Sequence, residues 1–334
     1  MDLPKVLLIG TIYCASSEWN NLSDVAELIH LKDGNRDTYR NGCHSGHYDG
    51  VVVIIRCEDA YKYTGRFDTD LIQFLPKSVR FICAPQVGYD QIDINTCTIQ
   101  GIAVSNSPAN IGNATADATM YLLLGALRRS WISSLSIRNG KWRGHAGLGH
   151  DPEGKVLGIL GMGNIGSVVA KRAAAFDMHI QYYNRNPLPV ERTPPGTKYV
   201  SFQDLLRTSD IISVHLPLSD DTRYTLGSKE FAQMKDGVIL INTSRGPIID
   251  EQALVDALES GKLYSAGLDV FENEPQVHPK LLANENVVLT PHIAAGTVET
   301  IHKSEALAMS NVRHALQHGT LLTQVREQRA EQNL

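Results

Sequence analysis

Three segments in the second half of the chain carry polar side chains just where short apolar runs end. ILINTSRG at 239–246 delivers Arg245 before a glycine, AGLDVFENEP at 266–275 carries Asp269, Glu272 and Glu274, and VVLTPHIA at 287–294 carries His292. Arginine presents a planar fork that grips a carboxylate through two parallel hydrogen bonds. An imidazole beside a carboxylate exchanges protons near neutral pH, because its ordinary pKa is about 6.5 and the anion favours the charged form and fixes the tautomer. A cation, a carboxylate and an imidazole together suit reversible hydride transfer at a carbinol carbon. Hydride crosses one face of the carbon while a proton moves to or from its oxygen. Spacing leaves the carboxylate role open between Glu272 and Glu274, with Asp269 open as a turn partner. Among the twelve histidines, His215 also ends an apolar run and reads as a wall of the cofactor site, whereas His145 and His150 fall in a glycine-rich loop and read as solvated.

A hydride carrier has its own signature. The run KVLGIL at 155–160 leads into Gly161, Met162, Gly163, Asn164, Ile165 and Gly166, followed by a helix-forming stretch. In that order, strand, glycine loop and helix, the first glycine makes the tight turn, the second lets the backbone approach a pyrophosphate, and the third lets helix and strand pack closely. The helix N-terminus then offers N–H groups to the anion. About 20 residues beyond such a loop an acidic residue binds the ribose hydroxyls of NAD. Here the next strand ends in Asn184 and Arg185 instead. An uncharged amide does not repel a 2′-phosphate and a guanidinium can pair with one, so the pattern predicts NADP(H) in preference to NAD(H), with NAD(H) still accommodated.

The elements that must hold these residues are legible as alternation. Short β-branched runs at 6–9, 50–55, 79–83 and 102–104 predict strands, with helices over 67–75 and 90–98 between them. A second series of strands is predicted at 155–160, 179–183, 211–215, 237–241, 265–270 and 287–289. Strand and helix alternating throughout argue for an α/β fold with parallel sheets. A long helix is predicted over 113–129, a glycine- and histidine-rich loop over 140–154 is a hinge candidate, a closing helix covers 297–316 and a polar tail follows from 326.

Length and composition restrict the function. At 334 residues the chain has room for about two domains, and 43% apolar with 20% charged residues is the balance of a protein that builds ordinary cores. With 31 Lys and Arg against 36 Asp and Glu, the net charge of −5 provides no basic field for nucleic acid. No stretch reaches the ~20 apolar residues of a membrane span. The first residues lack the pattern of a signal peptide, which predicts a cytoplasmic protein. The five cysteines all lie in the first hundred residues with no C-x-x-C pair, so they read as reduced and structural, and no metal site is expected.

Taken in order, 161–166, NTSRG at 242–246, GLDVFENEP at 267–275 and LTPHI at 289–293 resemble the D-isomer-specific 2-hydroxyacid dehydrogenases, over roughly 50–325. Within that family the chain is most similar to fungal glyoxylate/hydroxypyruvate reductases, with D-mandelate dehydrogenases also close. The resemblance implies two doubly wound parallel-sheet domains. A Rossmann cofactor domain at 106–296 would be inserted into a discontinuous substrate domain made of 1–105 and 297–334, with the site between them, in a homodimer. It implies that Arg245 binds the carboxylate of a small 2-oxoacid and polarises its carbonyl, that Glu274 orients and tunes His292, and that His292 is the general acid in reduction. Asp269 would hold the nicotinamide amide, Thr115, His215 and Thr243 would line the cofactor, and Val87 and Gly88 would present backbone N–H groups to the substrate. Pro85 and Gln86 stand where family members often have small residues, and a site narrowed by Gln86 would favour glyoxylate or hydroxypyruvate over the larger or aromatic oxoacids of a mandelate-type enzyme. Two other readings are weighed against this one. Corepressors that sense dinucleotides share the fold and motifs and differ in lacking turnover, and formate oxidation is disfavoured because those relatives carry glutamine where Glu274 stands.

Overall fold

The computed structural model describes residues 3–108, 112–145 and 147–329. The chain divides into two compact units, Met1–Ile111 with Thr297–Leu334, and Gly112–Gly296.

In the first unit the described residues form a parallel sheet of β1 (Lys5–Ile9), β2 (Glu27–Leu31), β3 (Val51–Arg56), β4 (Phe81–Cys83) and β5 (Ala103–Ser105), in the order β2-β1-β3-β4-β5. Between their ends, Lys5 of β1 and Arg56 of β3, the central strands are apolar because both faces of the sheet are covered. Leu7, Ile9, Ile54 and Ile82 pack with Phe67 and Leu71 on one face, while Val6, Leu8, Val53 and Ile55 pack with Met309, Val312 and Ala315 on the other. Those last three come from the Val298–His318 helix, which returns from the far end of the chain. It starts where the Thr297 hydroxyl accepts the Thr300 N–H and stops at Gly319 in the left-handed conformation. The tail read as polar is in part a structural element. The Gln328 side chain accepts from Val104 N–H at 2.7 Å and donates to the Ile102 carbonyl at 2.8 Å, tying the chain end to β5; residues 330–334 lie outside the described part. Burial pushes the thiols of Cys83 and Cys97 up to about 12, consistent with packed, unreactive cysteines.

The second unit holds a parallel sheet of β6 (Val156–Leu160), β7 (His179–Tyr183), β8 (Thr197–Tyr199), β9 (Ile211–Val214), β10 (Val238–Asn242), β11 (Leu263–Leu268) and β12 (Val287–Leu289), in the order β12-β11-β10-β9-β6-β7-β8. The order reverses between β6 and β9, and ligands of such sheets bind at the carboxyl ends of the strands beside that switch. The Gly112–Arg128 helix packs on this sheet so closely that a Cβ on Gly267 of β11 would lie 2.9 Å from the Leu122 Cβ. Residues 140–154, the hinge candidate of the sequence, fall inside this second unit. No described helix is long and apolar enough to cross a membrane.

Candidate active site

The glycine loop has the shape its sequence calls for. Gly161 adopts φ +103°, and a Cβ there would stand 2.8 Å from the His215 carbonyl, so the turn tolerates no side chain. A Cβ on Gly166 would lie 2.4 Å from the Gly161 carbonyl oxygen, which is how the first turn of the Asn164–Ala174 helix comes to rest against the β6 end. Gly163, at the N-cap of that helix, has open space where a side chain would be and no side-chain cap. An N-terminus with room in front of it and no competing cap fits the pyrophosphate of a dinucleotide.

At the end of β7, Asn184 has a task that spacing did not disclose. Its Oδ1 accepts the Met162 N–H at 2.7 Å and its Nδ2 donates to the Met162 carbonyl at 3.3 Å, so the amide braces the glycine loop across the sheet. Arg185 next to it is exposed and makes no ion pair among the described residues. Thr115 and Thr243 are buried, and Thr119 joins them: its hydroxyl donates to the Thr115 carbonyl at 2.8 Å and lies 2.9 Å from the Thr243 hydroxyl. Thr119 went unread because a lone threonine inside an apolar helix is usually satisfied by the carbonyl four residues back.

The imidazole of His215 is enclosed, with Nε2 2.8 Å from the Ser213 hydroxyl and Nδ1 without a partner among the described residues. Burial lowers it to about 4, so it is neutral at physiological pH and unsuited to donating a proton there. His145 is exposed yet paired, 2.6 Å from the Glu285 carboxylate, and His150 meets the Tyr264 ring edge-on at 4.8 Å.

The three acids after β11 separate cleanly. Asp269 is 1% exposed, and its carboxylate accepts the Thr290 hydroxyl at 2.6 Å and the N–H groups of Ile293 and Ala294 at 2.9 Å. Its own carbonyl accepts the His292 N–H at 2.7 Å. These bonds accompany a φ of +54° at His292, a conformation uncommon for any residue with a side chain. Glu272 accepts from the Tyr224 hydroxyl at 2.5 Å and the Glu251 N–H at 3.2 Å, which commits it to another loop. Glu274 Oε2 lies 2.7 Å from His292 Nδ1, and its Oε1 accepts the Phe271 N–H at 2.9 Å. Burial raises the Glu274 carboxyl, but the bond and charge of His292, the Phe271 N–H and the charge of Arg245 outweigh it and hold the group below the usual carboxylate range. Glu274 is thus an anion, and its side chain and that of His292 are each about one-third exposed, 34% and 35%.

Arg245 follows β10 at a turn that only glycine can complete, since a Cβ on Gly246 would lie 1.9 Å from the Phe271 carbonyl carbon. That contact sets the turn against the residues just before Glu274. Asn242 fixes it from below: its amide donates to the Arg245 carbonyl at 3.0 Å and accepts from the Ser244 N–H and hydroxyl. Arg245, Glu274 and His292 therefore belong to one constellation of the second unit. Among the described residues no group of three or more His, Cys, Asp or Glu could hold a metal ion.

A family model described as D-isomer specific 2-hydroxyacid dehydrogenase, NAD binding domain, matches residues 120–294. The chain belongs to this family. It is accordingly an NAD(P)H-dependent oxidoreductase of small 2-oxoacids and D-2-hydroxyacids. The 4-methyl-2-oxopentanoate reductase A of Aspergillus oryzae is 48% identical, with 98% of this chain and 99% of that protein aligned. Among solved structures, a glyoxylate reductase from Paecilomyes thermophila is similar with a TM-score of 0.95 and 51% identity over 98% of this chain and 100% of that one. An NADPH-dependent glyoxylate/hydroxypyruvate reductase from Sinorhizobium meliloti, solved with NADP and malonate, has a TM-score of 0.86 and 29% identity over 98% of this chain and 99% of that one.

In the first unit, Val87 and Gly88 lie in the loop that leaves β4. The Val87 carbonyl accepts from the Asn106 side chain at 2.7 Å and the Gln86 carbonyl from the Ser107 N–H at 2.9 Å. Since a trans peptide points its N–H opposite to its C=O, the Gly88 N–H is turned away from Asn106.

Proposed function

We propose that the chain reduces a small 2-oxoacid, glyoxylate or hydroxypyruvate, to the D-2-hydroxyacid with NADPH, and that His292 is the general acid. The observation that carries this reading is the 2.7 Å pair of His292 Nδ1 and Glu274 Oε2, with the Arg245 charge acting on the same carboxylate. The reduced nicotinamide supplies the hydride when bound. Arg245 grips the substrate carboxylate and draws electron density from the carbonyl. With Nδ1 committed to Glu274, the proton passes from Nε2 to the carbonyl oxygen as that oxygen gains charge. Glu274 remains ionised throughout, fixing the ring and stabilising the imidazolium that precedes transfer. Gly161, Met162, Gly163, Asn164, Ile165 and Gly166 hold the pyrophosphate, Thr115, Thr243, His215 and Asp269 line the nicotinamide end, and the Val87 and Gly88 amides serve the substrate carboxylate.

The cofactor preference rests on Arg185. With the Asn184 amide spent on Met162 and no acid present to favour free ribose hydroxyls, an exposed guanidinium is the group left to meet a 2′-phosphate. The same reading has the protein working as a homodimer in the cytoplasm without nucleic acid, in keeping with its net charge of −5. A panel of glyoxylate, hydroxypyruvate, 4-methyl-2-oxopentanoate and phenylglyoxylate, each assayed with NADPH and NADH, tests it. The expected result is highest kcat/KM on the two smallest acids with NADPH, narrowing by about tenfold toward NADH in Arg185→Gln, as for loss of one charge-assisted contact. A preference for NADH, or for phenylglyoxylate, would refute the cofactor or the size assignment respectively.

A further inference from the structure

Arg56 closes β3, the middle strand of the first sheet, in register with Ile9 of β1. The order β2-β1-β3-β4-β5 reverses between β1 and β3, and the carboxyl ends of the strands at such a reversal are where α/β sheets bind ligands. The residue is 1% exposed, and its Nε and Nη2 have no hydrogen-bond partner among the described residues. Buried guanidinium nitrogens that donate to nothing are costly, and such groups persist in a native fold for a reason. The charges of Asp90, Cys57 and Glu58 favour the guanidinium, yet none of them accepts a hydrogen bond from its Nε or Nη2 among the described residues, and Asp59 is spent on the Thr11 N–H at 2.9 Å and the Thr11 hydroxyl at 2.8 Å. Burial lowers the guanidinium only to about 10, so it stays charged at neutral pH, resting 5.6 Å from the centre of the Phe67 ring.

A second orphan stands on the neighbouring strand. β4 pairs with β3 through Ile55 and Cys83, and three residues beyond Cys83 the Oε1 of Gln86 is enclosed without a partner among the described residues. Adjacent strand ends therefore offer two unmet donors and one unmet acceptor. A carboxylate would satisfy the arginine but be repelled by the amide oxygen, and a methyl group would satisfy neither. A hydroxyl accepts from one and donates to the other.

We propose that Arg56, with Gln86, is a specificity-determining residue of the first unit that recognises a hydroxyl on C3 of the 2-oxoacid. This rests on the reading that the Val87 and Gly88 loop receives the substrate, and it narrows the substrate class from small 2-oxoacids to 3-hydroxy-2-oxoacids.

Hydroxypyruvate and 2-oxobutanoate test it, since the second replaces the hydroxyl by a methyl of similar size. The ratio of their kcat/KM values should favour hydroxypyruvate in the wild type and fall by about tenfold or more in Arg56→Met, as expected when a site built to hydrogen-bond a hydroxyl loses its donor. Arg56→Lys should restore part of the ratio. A readout independent of turnover is thermal melting. Without ligand, Arg56→Met should melt no lower than the wild type, because a buried charge with two unmet donor nitrogens has been replaced by an apolar chain of similar volume. D-glycerate should raise the melting temperature of the wild type more than that of the variant. A folded Arg56→Met with an unmoved ratio overturns the proposal while leaving the reductase reading intact, and a variant that melts several degrees lower assigns Arg56 to the core and overturns it as well. A wild type that reduces neither acid removes the reductase reading itself and this proposal with it.

Discussion

Asp269 and Glu274 stand five residues apart after the same strand, and they do opposite work. Asp269 is sealed in and spends its carboxylate on a hydroxyl and two backbone N–H groups of the loop that follows β12. Glu274, one-third exposed, spends one oxygen on its own turn and the other on an imidazole. The first shapes the backbone from which His292 projects, and the second sets the ring's proton. The proposed catalytic dyad is thus built twice over. One acid makes a strained left-handed residue affordable and the other makes its side chain useful, and the two should be separable by experiment.

The largest effect should come from the ring itself. His292→Gln should lower kcat/KM for oxoacid reduction by about 10²–10⁴-fold, the usual worth of a positioned general acid, with cofactor binding preserved. Fluorescence titration of NADPH alongside steady-state rates would show it, and an unchanged rate would remove the proposed acid. Asp269→Ala should break the other half of the comparison. It leaves the buried N–H of Ala294 without an acceptor, at about 1–3 kcal/mol, and frees the part-buried N–H of Ile293 at a smaller cost, so a lower melting temperature should accompany the loss of rate. A variant with normal melting and wild-type activity would show that His292 holds its conformation without this brace.

Glu274→Gln should act on proton chemistry in the first place. Removing the anion withdraws what favours the charged imidazole, so the pH at which reduction falls off on the alkaline side should move down, with kcat/KM at neutral pH reduced by about tenfold or more. The acid side carries a sign of its own. The Glu274 carboxyl is held below its ordinary value in the folded protein, so its contribution to stability is complete above about pH 4.5, the unperturbed carboxyl range, and is lost as pH falls through the lowered value. Thermal melts of wild type and Glu274→Gln should therefore converge at low pH and differ at neutrality. Parallel melting curves across the range would sever the carboxylate from the stability of the fold.

The same contrast explains what could be read in advance. The central strands were legible because sheets covered on both faces demand unbroken apolar runs, as in Val6 to Ile9 and Ile239 to Ile241. The two strands that went unread, β2 and β8, are both sheet edges, and ELIHL and TKY carry the polar residues that edges tolerate. The Ser130–Arg138 helix was hidden behind Arg129, whose φ of +46° breaks the chain from the preceding helix without a glycine to announce it. Gly161 and Gly166 were legible because each answers a steric demand, and Gly163 because it leaves open the N-terminus of the helix that follows. The roles of Asn184 and Arg56 were not, because both depend on which strand end lies beside which. The choice among Asp269, Glu272 and Glu274 was equally closed to spacing, since all three sit in irregular backbone whose path no period describes.

Glu272 offers the finest test of that choice. It lies two residues from Glu274 in sequence, carries the same group, and is bound instead to Tyr224 and to the N–H of Glu251, whose carboxylate in turn accepts the Glu272 N–H at 2.9 Å. Glutamine in its place keeps an acceptor for one of those partners and leaves the imidazole untouched. Glu272→Gln should therefore change kcat/KM by no more than about twofold and leave its pH profile where it was, the modest result expected of a partly exposed hydrogen bond. A shift of the alkaline limb comparable to that of Glu274→Gln would mean that proximity to the ring, and not the specific bond to Nδ1, tunes the proton.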